Sequence, residues 1–340
     1  MAPAAYLSRL TLASADLTSQ KGAAKSFDEP FWRRREFVLG VALVLLALAV
    51  GALRPDFLRW ENLRDILLNA AIPTVAAAGM TVLIINAQID ISIGAILAVS
   101  AVVVALSGQK GLPLPLLALV GAGSGALLGA VNGTLTAGLK IPSIVATLAT
   151  VGAIRGLMIW VTEGDIIQVP AALNEAGAGM VLGLPVLVWA AALVAAGTHL
   201  YLSATRKGRQ HYAVGSNPRS AELSGISVNG TTFRSFVYLG ALTGIAGFLY
   251  VLRFSPISHP IAPGFELEVI TAVVVGGTDI FGGRGTVLGT VLAVLLLKLI
   301  EVGLTFVGSI TQLRSEIQPA IQGLLILAAV LYNSLSRHED

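Results

Sequence analysis

Cysteine is absent from all 340 residues, which excludes a disulfide framework and any thiolate metal site. Histidine offers no substitute, because His199, His211, His259 and His338 lie too far apart in sequence to suggest a metal centre. Charge is scarce as well. Asp, Glu, Lys and Arg make up 12% of the chain, against about a quarter of an ordinary soluble domain, and that deficit rules out a soluble globular fold. No GxxxxGK[ST] loop occurs, so the chain has no phosphate cradle of its own for hydrolysing a nucleotide. The nearest glycine-rich stretches, Gly121–Gly133 and Gly276–Gly285, lack the Lys-Ser/Thr pair. No nucleophile, base and orienting group stand out as a set, so no catalytic residue, no metal and no cofactor of the chain's own are expected.

What is present is apolar sequence: 55% hydrophobic residues and a mean hydropathy of +0.81. Val38–Leu53 and Gly285–Ile300 run without interruption, unlike the short alternating segments of a transmembrane barrel. The chain therefore reads as an all-α polytopic membrane protein with about ten transmembrane helices, some broken or re-entrant. At about 17–25 residues per span, the helices fall near 37–54, 63–87, 92–107, 115–138, 143–161, 181–203, 232–253, 265–279, 286–307 and 315–335. Residues 1–32 are expected to form a polar, disordered cytoplasmic tail, 33–336 the membrane domain, and 337–340 a second cytoplasmic tail. A cleaved signal peptide is not expected, because Arg33, Arg34 and Arg35 follow a long polar stretch instead of opening the chain.

The excess of basic residues (net +3) points to cytoplasmic loops facing anionic lipid, not to nucleic acid. With Arg33–Arg35 inside, span parity puts the loop 204–230 in the cytoplasm, and it carries Arg206, Lys207, Arg209 and Arg219. The same parity sends Thr162–Met180 outward, where Glu163, Asp165 and Glu175 stand without a Lys or Arg. Arg54, Arg59 and Arg64 break the rule, and a short amphipathic stretch in the interface accounts for them.

Glycine recurs at every fourth position in the fourth span, Gly121, Gly125, Gly129 and Gly133, with shorter echoes at Gly240/Gly244 and Gly285/Gly289. Such a face lets two helix backbones approach closely, within one subunit in preference to a dimer face. Pro73 should kink the second span. Spans two to five and seven to ten form two blocks whose odd offset would give a duplication inverted topology, although the sequence similarity for one is poor.

Two interruptions carry the chemistry, Asn86–Gly94 (NAQIDISIG) and Gly276–Gly285 (GGTDIFGGRG). Lipid offers no hydrogen-bond partners, so non-helical backbone at membrane depth survives only where protein or a water-filled cavity satisfies it. Asp90, followed by Ser92 and Gly94, is expected to cap the next helix. Asp279, before Phe281, Gly282 and Gly283, reads the same way with Arg284 as counter-ion. Of the other intramembrane ionisable residues, Arg155, Lys298 and Glu301, the last two are three apart and are expected to pair. Asn86, Gln88, Asn132 and Thr147 are candidates for a substrate path on polarity alone.

The loop His211–Gly230 reads HYAVGSNPRSAELSGISVNG. Asn217-Pro218 starts a short helix and Gly225 stops it, leaving Ala221, Glu222, Leu223 and Ile226 to enter a groove on a partner. Together with Gly79–Ala101, Gly129–Leu157 and Ile270–Thr290, this loop resembles the ribose-type, or simple-sugar, permeases of ABC transporters. The four blocks occur in the right order, and the similarity covers roughly Arg33 to the C-terminus.

The resemblance implies a permease in the bacterial cytoplasmic (inner) membrane that homodimerises around a central path. It also implies a cytoplasmic ABC ATP-binding subunit, which holds the ATP, and an extracytoplasmic sugar-binding protein. The family's coupling segment falls on Gly215, Asn217, Ala221, Glu222, Gly225 and Ile226. Its membrane signatures fall on Asp90, Ser92, Gly94, Gly276, Gly277, Gly282, Gly283 and Gly285. The cargo expected is a monosaccharide or related polyol. An ion-coupled secondary transporter of a small polar solute is the alternative.

Overall fold

A computed structural model describes residues 35–258, 260–311, 320, 323 and 324. The expected tails 1–32 and 337–340, with Arg33, Arg34, His259 and His338, lie outside the described residues, as does all but three positions of the tenth span. The described residues are mostly helical. Helix α1 (Arg35–Leu53) leads through a 3-10 turn (Pro55–Leu58) into α2 (Trp60–Ile85), α3 (Ile93–Gln109) and α4 (Leu114–Gly133), which continues as a π turn to Gly138. Then come α5 (Ser143–Thr162), a short α6 (Ala171–Ala178), and a hairpin of β1 (Met180–Val181) and β2 (Leu184–Pro185). Next are α7 (Val186–Ala204), α8 (Arg206–Ser216), α9 (Pro218–Leu223) and α10 (Val228–Arg253), followed by α11 (Phe265–Val275) and α12 (Val287–Thr311).

Seven of the described helices are long and apolar enough to cross a membrane; of the other three expected spans, the tenth falls almost entirely outside the described residues and two are shorter helices. The eighth expected span, 265–279, is an 11-residue helix. At about 1.5 Å per residue it covers roughly half of a hydrocarbon core of about 30 Å. It stops because Gly276 and Gly277 close it. Helix α3, with 17 residues, falls just short of a full span. The sixth span starts at Val186 and not at 181, because Met180–Val181 pairs back on Leu184–Pro185 through Leu182 and Gly183, both at positive φ, the geometry of a tight hairpin.

The core sits around α2, which is buried at almost every position from Ala70 to Ile85. A helix apolar on all sides belongs at the centre of a bundle. Pro73 stands inside α2 without ending it. Helices α3, α7, α10, α11 and α12 all pack on α2 or on its neighbours. The glycine face of α4 meets α10 within the subunit, as expected. Gly121 abuts the Gly244 carbonyl, Gly125 that of Gly240, and Gly129 that of Phe236, so a Cβ at any of the three would strike backbone. Packing partners are exchanged between two helix triplets: α4 and α3 lie against α10, while α12 and α11 lie against α2. Such an exchange is what a two-fold relation between α2–α3–α4 and α10–α11–α12 gives. The two interruptions are not equivalent under it, since one follows α2 and the other follows α11.

Candidate coupling site

Both interruptions begin with the same backbone device. Helix α2 ends as the Ala87 N–H donates to the Ile84 carbonyl (2.8 Å) and the Gln88 N–H to the Leu83 carbonyl (3.1 Å), with Ala87 at φ +58°. Helix α11 ends as the Gly277 N–H donates to Val274 O (3.0 Å) and the Thr278 N–H to Val273 O (3.1 Å), with Gly277 at φ +94°. This paired 5→2 and 6→1 pattern satisfies orphan carbonyls at a helix end. Each then carries an aspartate that accepts from the residue two ahead, Ser92 N–H to Asp90 Oδ1 (2.7 Å) and Phe281 N–H to Asp279 Oδ1 (3.0 Å), which is a local turn.

From there they diverge. The first interruption sinks into the helix wall and is satisfied by side chains. Ser143 Oγ accepts from the Ile89 N–H (3.3 Å) and Thr147 Oγ1 from the Ile91 N–H (3.1 Å). Asp90 is fully buried and also accepts from Ser92 Oγ (2.6 Å) and Asn132 Nδ2 (3.0 Å). The second is built from glycine backbone: Gly277, Gly282, Gly283 and Gly285 all have positive φ, a conformation that side chains resist. Asp279 and Arg284 are joined through main chain, the Asp279 N–H donating to the Arg284 carbonyl (3.0 Å).

The two meet at the end of α8. The Gly283 N–H donates to Ile85 O (2.8 Å), bridging the interruptions directly. A Cβ on Gly215 would strike both the Ile85 carbonyl and the Gly283 nitrogen, and a Cβ on Gly282 would lie 2.9 Å from Ala87 N and 3.0 Å from Gly215 O. Tyr212 Oη donates to Gly285 O (3.0 Å). Two residues beyond Gly215, Asn217 caps α9 by accepting the Ser220 N–H (3.0 Å), and Gly225 follows it at φ +79°. On α9, Ala221 is buried, Glu222 pairs with Arg219 (3.0 Å), and Leu223 stands 76% exposed. Ile226 closes the turn by donating its N–H to Ala221 O (3.0 Å). His211, buried on α8 with Tyr201 Oη 3.0 Å from its Nε2, has its pKa lowered to about 4, by desolvation first and then by the charge of Arg234.

Of the residues chosen on polarity, Asn132 and Thr147 hold the first interruption, and Asn86 donates to Thr232 Oγ1 (2.9 Å). Gln88 lies at the helix end. Gly94 does something the sequence did not suggest: a Cβ there would strike Glu266 Oε2 and come 3.3 Å from an Arg155 nitrogen, so its absence makes room for a carboxylate at the start of α11. Lys298 does pair with Glu301 (2.8 Å), but also with Glu268 (2.7 Å). Glu268, Tyr212 and the left-handed Ala87 were missed. Glu268 opens a helix in a stretch read as apolar, and an alanine gives no sign of positive φ.

Residues 62–330 match a family described as branched-chain amino acid transport system / permease component. The chain is 34% identical over 296 residues to the ribose import permease protein of Haemophilus influenzae, covering 86% of this chain and 90% of that one. It is 32% identical over 325 residues to the ribose import permease protein of Escherichia coli K12, covering 94% and 99%. It is also 32% identical over 309 residues to an autoinducer 2 import system permease protein of an Enterobacter species, covering 90% of each. No solved structure matches the chain significantly.

Proposed function

The chain belongs to the branched-chain amino acid transport system / permease component family, a multi-pass inner-membrane permease, and on that premise we propose that it imports a monosaccharide or related polyol. The relatives are named for ribose and for autoinducer 2, so the family's own description does not fix the cargo. Membership implies association with ATP-binding and substrate-binding components. We place the ATP-binding subunit at α9, which puts the loop 204–230 in the cytoplasm and leaves the chain without catalytic residues or a bound cofactor of its own.

The observation that carries this reading is the junction of Gly215, Gly283 and Ile85 beside α9. Leu223, Glu222 and Ile226 present the docking surface, with Asn217 and Gly225 fixing its ends. A displacement of α9 on nucleotide binding is passed through Gly215 to Gly282 and Gly283, and through the Gly283 N–H to the carbonyl that ends α2. Glycine at these points lets backbone press on backbone, so little motion is lost in side-chain rearrangement. We assign the broad apolar exposure of α4 and α5, including Leu127 at 68% and Trp160 at 76%, to lipid and to a second copy of the chain, with the path between the copies.

Proteoliposomes test this. Uptake of labelled monosaccharide is expected only with the ATP-binding subunit and the sugar-binding protein present, and changing Glu222 and Leu223 to arginine should abolish both uptake and subunit co-purification. Accumulation by this chain alone, collapsing with the proton gradient, would overturn the reading in favour of ion coupling.

A further inference from the structure

At the end of the bundle away from α9, α2, α3, α10, α11 and α12, with the connection from α10 to α11, line an open cavity of about 240 Å³. Its polar lining is Asn69, Arg253, Glu268, Lys298 and Glu301. Lys298 lies 2.7 Å from Glu268 and 2.8 Å from Glu301, with its side chain 11% exposed. Arg253 donates to the Leu68 carbonyl (2.8 Å) and to Asn69 Oδ1 (2.5 Å), and its guanidinium lies 5.0 Å from the Phe254 ring centroid. Ionisable groups among membrane helices are costly, and replacing a buried ion pair with apolar residues is often neutral or stabilising. Packing alone therefore does not account for four of them around an open space.

The lining defines its occupant. Two cations face two carboxylates, so a charged solute would leave an uncompensated charge, whereas a neutral one bearing hydroxyl groups can donate to the carboxylates and accept from Lys298 and Arg253. Tyr250 and Phe265 supply aromatic wall for the apolar face that such a ring presents. At roughly 30 Å³ per water the space equals about eight waters, which suits one small sugar ring.

We propose that this cavity is a solute site inside each subunit, separate from any path between two copies, that takes a neutral polyhydroxylated molecule of monosaccharide size from the extracytoplasmic side. The orientation and the solute class rest on the importer reading above.

The native absence of cysteine makes the test direct. In right-side-out vesicles carrying the complete importer, Ile72→Cys, in the cavity wall, and Ala172→Cys, exposed on α6, are labelled with a membrane-impermeant methanethiosulfonate. D-ribose, D-xylose or D-glucose at millimolar concentration is expected to slow labelling at Ile72→Cys several-fold and not at Ala172→Cys. Lys298→Met should remove the protection. Because that change leaves two carboxylates unpaired and can unfold the subunit, Glu301→Gln, which keeps the Lys298–Glu268 pair, should weaken protection with labelling retained. No labelling at Ile72→Cys, or labelling that none of these sugars slows, overturns the proposal. ATP-driven sugar uptake in the same vesicles alongside an unprotected Ile72→Cys would sink the cavity and leave the importer standing, while protection without uptake would do the reverse.

Discussion

The two interrupted segments share a helix-ending turn and an aspartate that closes the next bend, yet they survive at membrane depth by opposite means. The one after α2 is partly to fully buried; Ser143 and Thr147 accept from its N–H groups, and Asn132 and Ser92 donate to its aspartate. The one after α11 is satisfied by its own glycine backbone and by the end of α8. Removing hydrogen-bonding side chains should therefore injure the first, and adding side chains should injure the second.

Gly283→Val is the sharpest challenge to that contrast. A Cβ there would lie 2.9 Å from Ser216 Cα, at a φ of +78°. Sugar uptake is expected to fall to background while membrane insertion persists; near-normal uptake in proteoliposomes would erase the distinction. Asp90→Ala should come next. It strands the Ser92 N–H and part of the Asn132 amide in a buried site, at about 1–3 kcal/mol per orphaned group. A clear loss of melting temperature is expected, with Asp90→Asn much milder because an acceptor oxygen remains.

Acidification should separate the two segments without mutation. The folded pKa of His211 is about 4 against the ordinary 6.5, so the unfolded chain takes up the proton first as pH falls. The stability that this neutral histidine contributes is fully present well above pH 6.5 and is lost as pH falls toward 4, by at most about 1.4 kcal/mol per unit. Amide exchange, corrected for intrinsic rate, should quicken at Gly282–Gly285 over that range and not at Ile89 or Ile91. His211→Gln should flatten the response. A smaller effect is expected from Asp279→Ala, which takes the acceptor from the Phe281 N–H in a partly exposed turn; that lost bond should cost about 0.5–1.5 kcal/mol, less than the orphaned groups at Asp90. Equal losses in thermal unfolding would count against the contrast.

The helical class and the edges of most spans were legible because apolar runs are long and period-free. Helix α11 was overextended because hydropathy does not fall at Gly276 and Gly277; what ends the helix is their backbone conformation. The glycine face of α4 was readable from its fourfold spacing, and its partner on α10 from the Gly240/Gly244 pair. The meeting of Gly215, Gly283 and Ile85 was not readable, since backbone-to-backbone contact across distant segments leaves no mark on polarity. Asn132 and Thr147 were visible as polar residues among apolar ones. Their partners, the N–H groups of a non-helical segment and the buried Asp90, were not.

Where α4 lies against α10, carbonyls press on glycine over three successive turns with no side chain between them. With no rotamers to exchange at these points, the seam can change only if the two backbones part, which rivets α4 and α10 into a single spar.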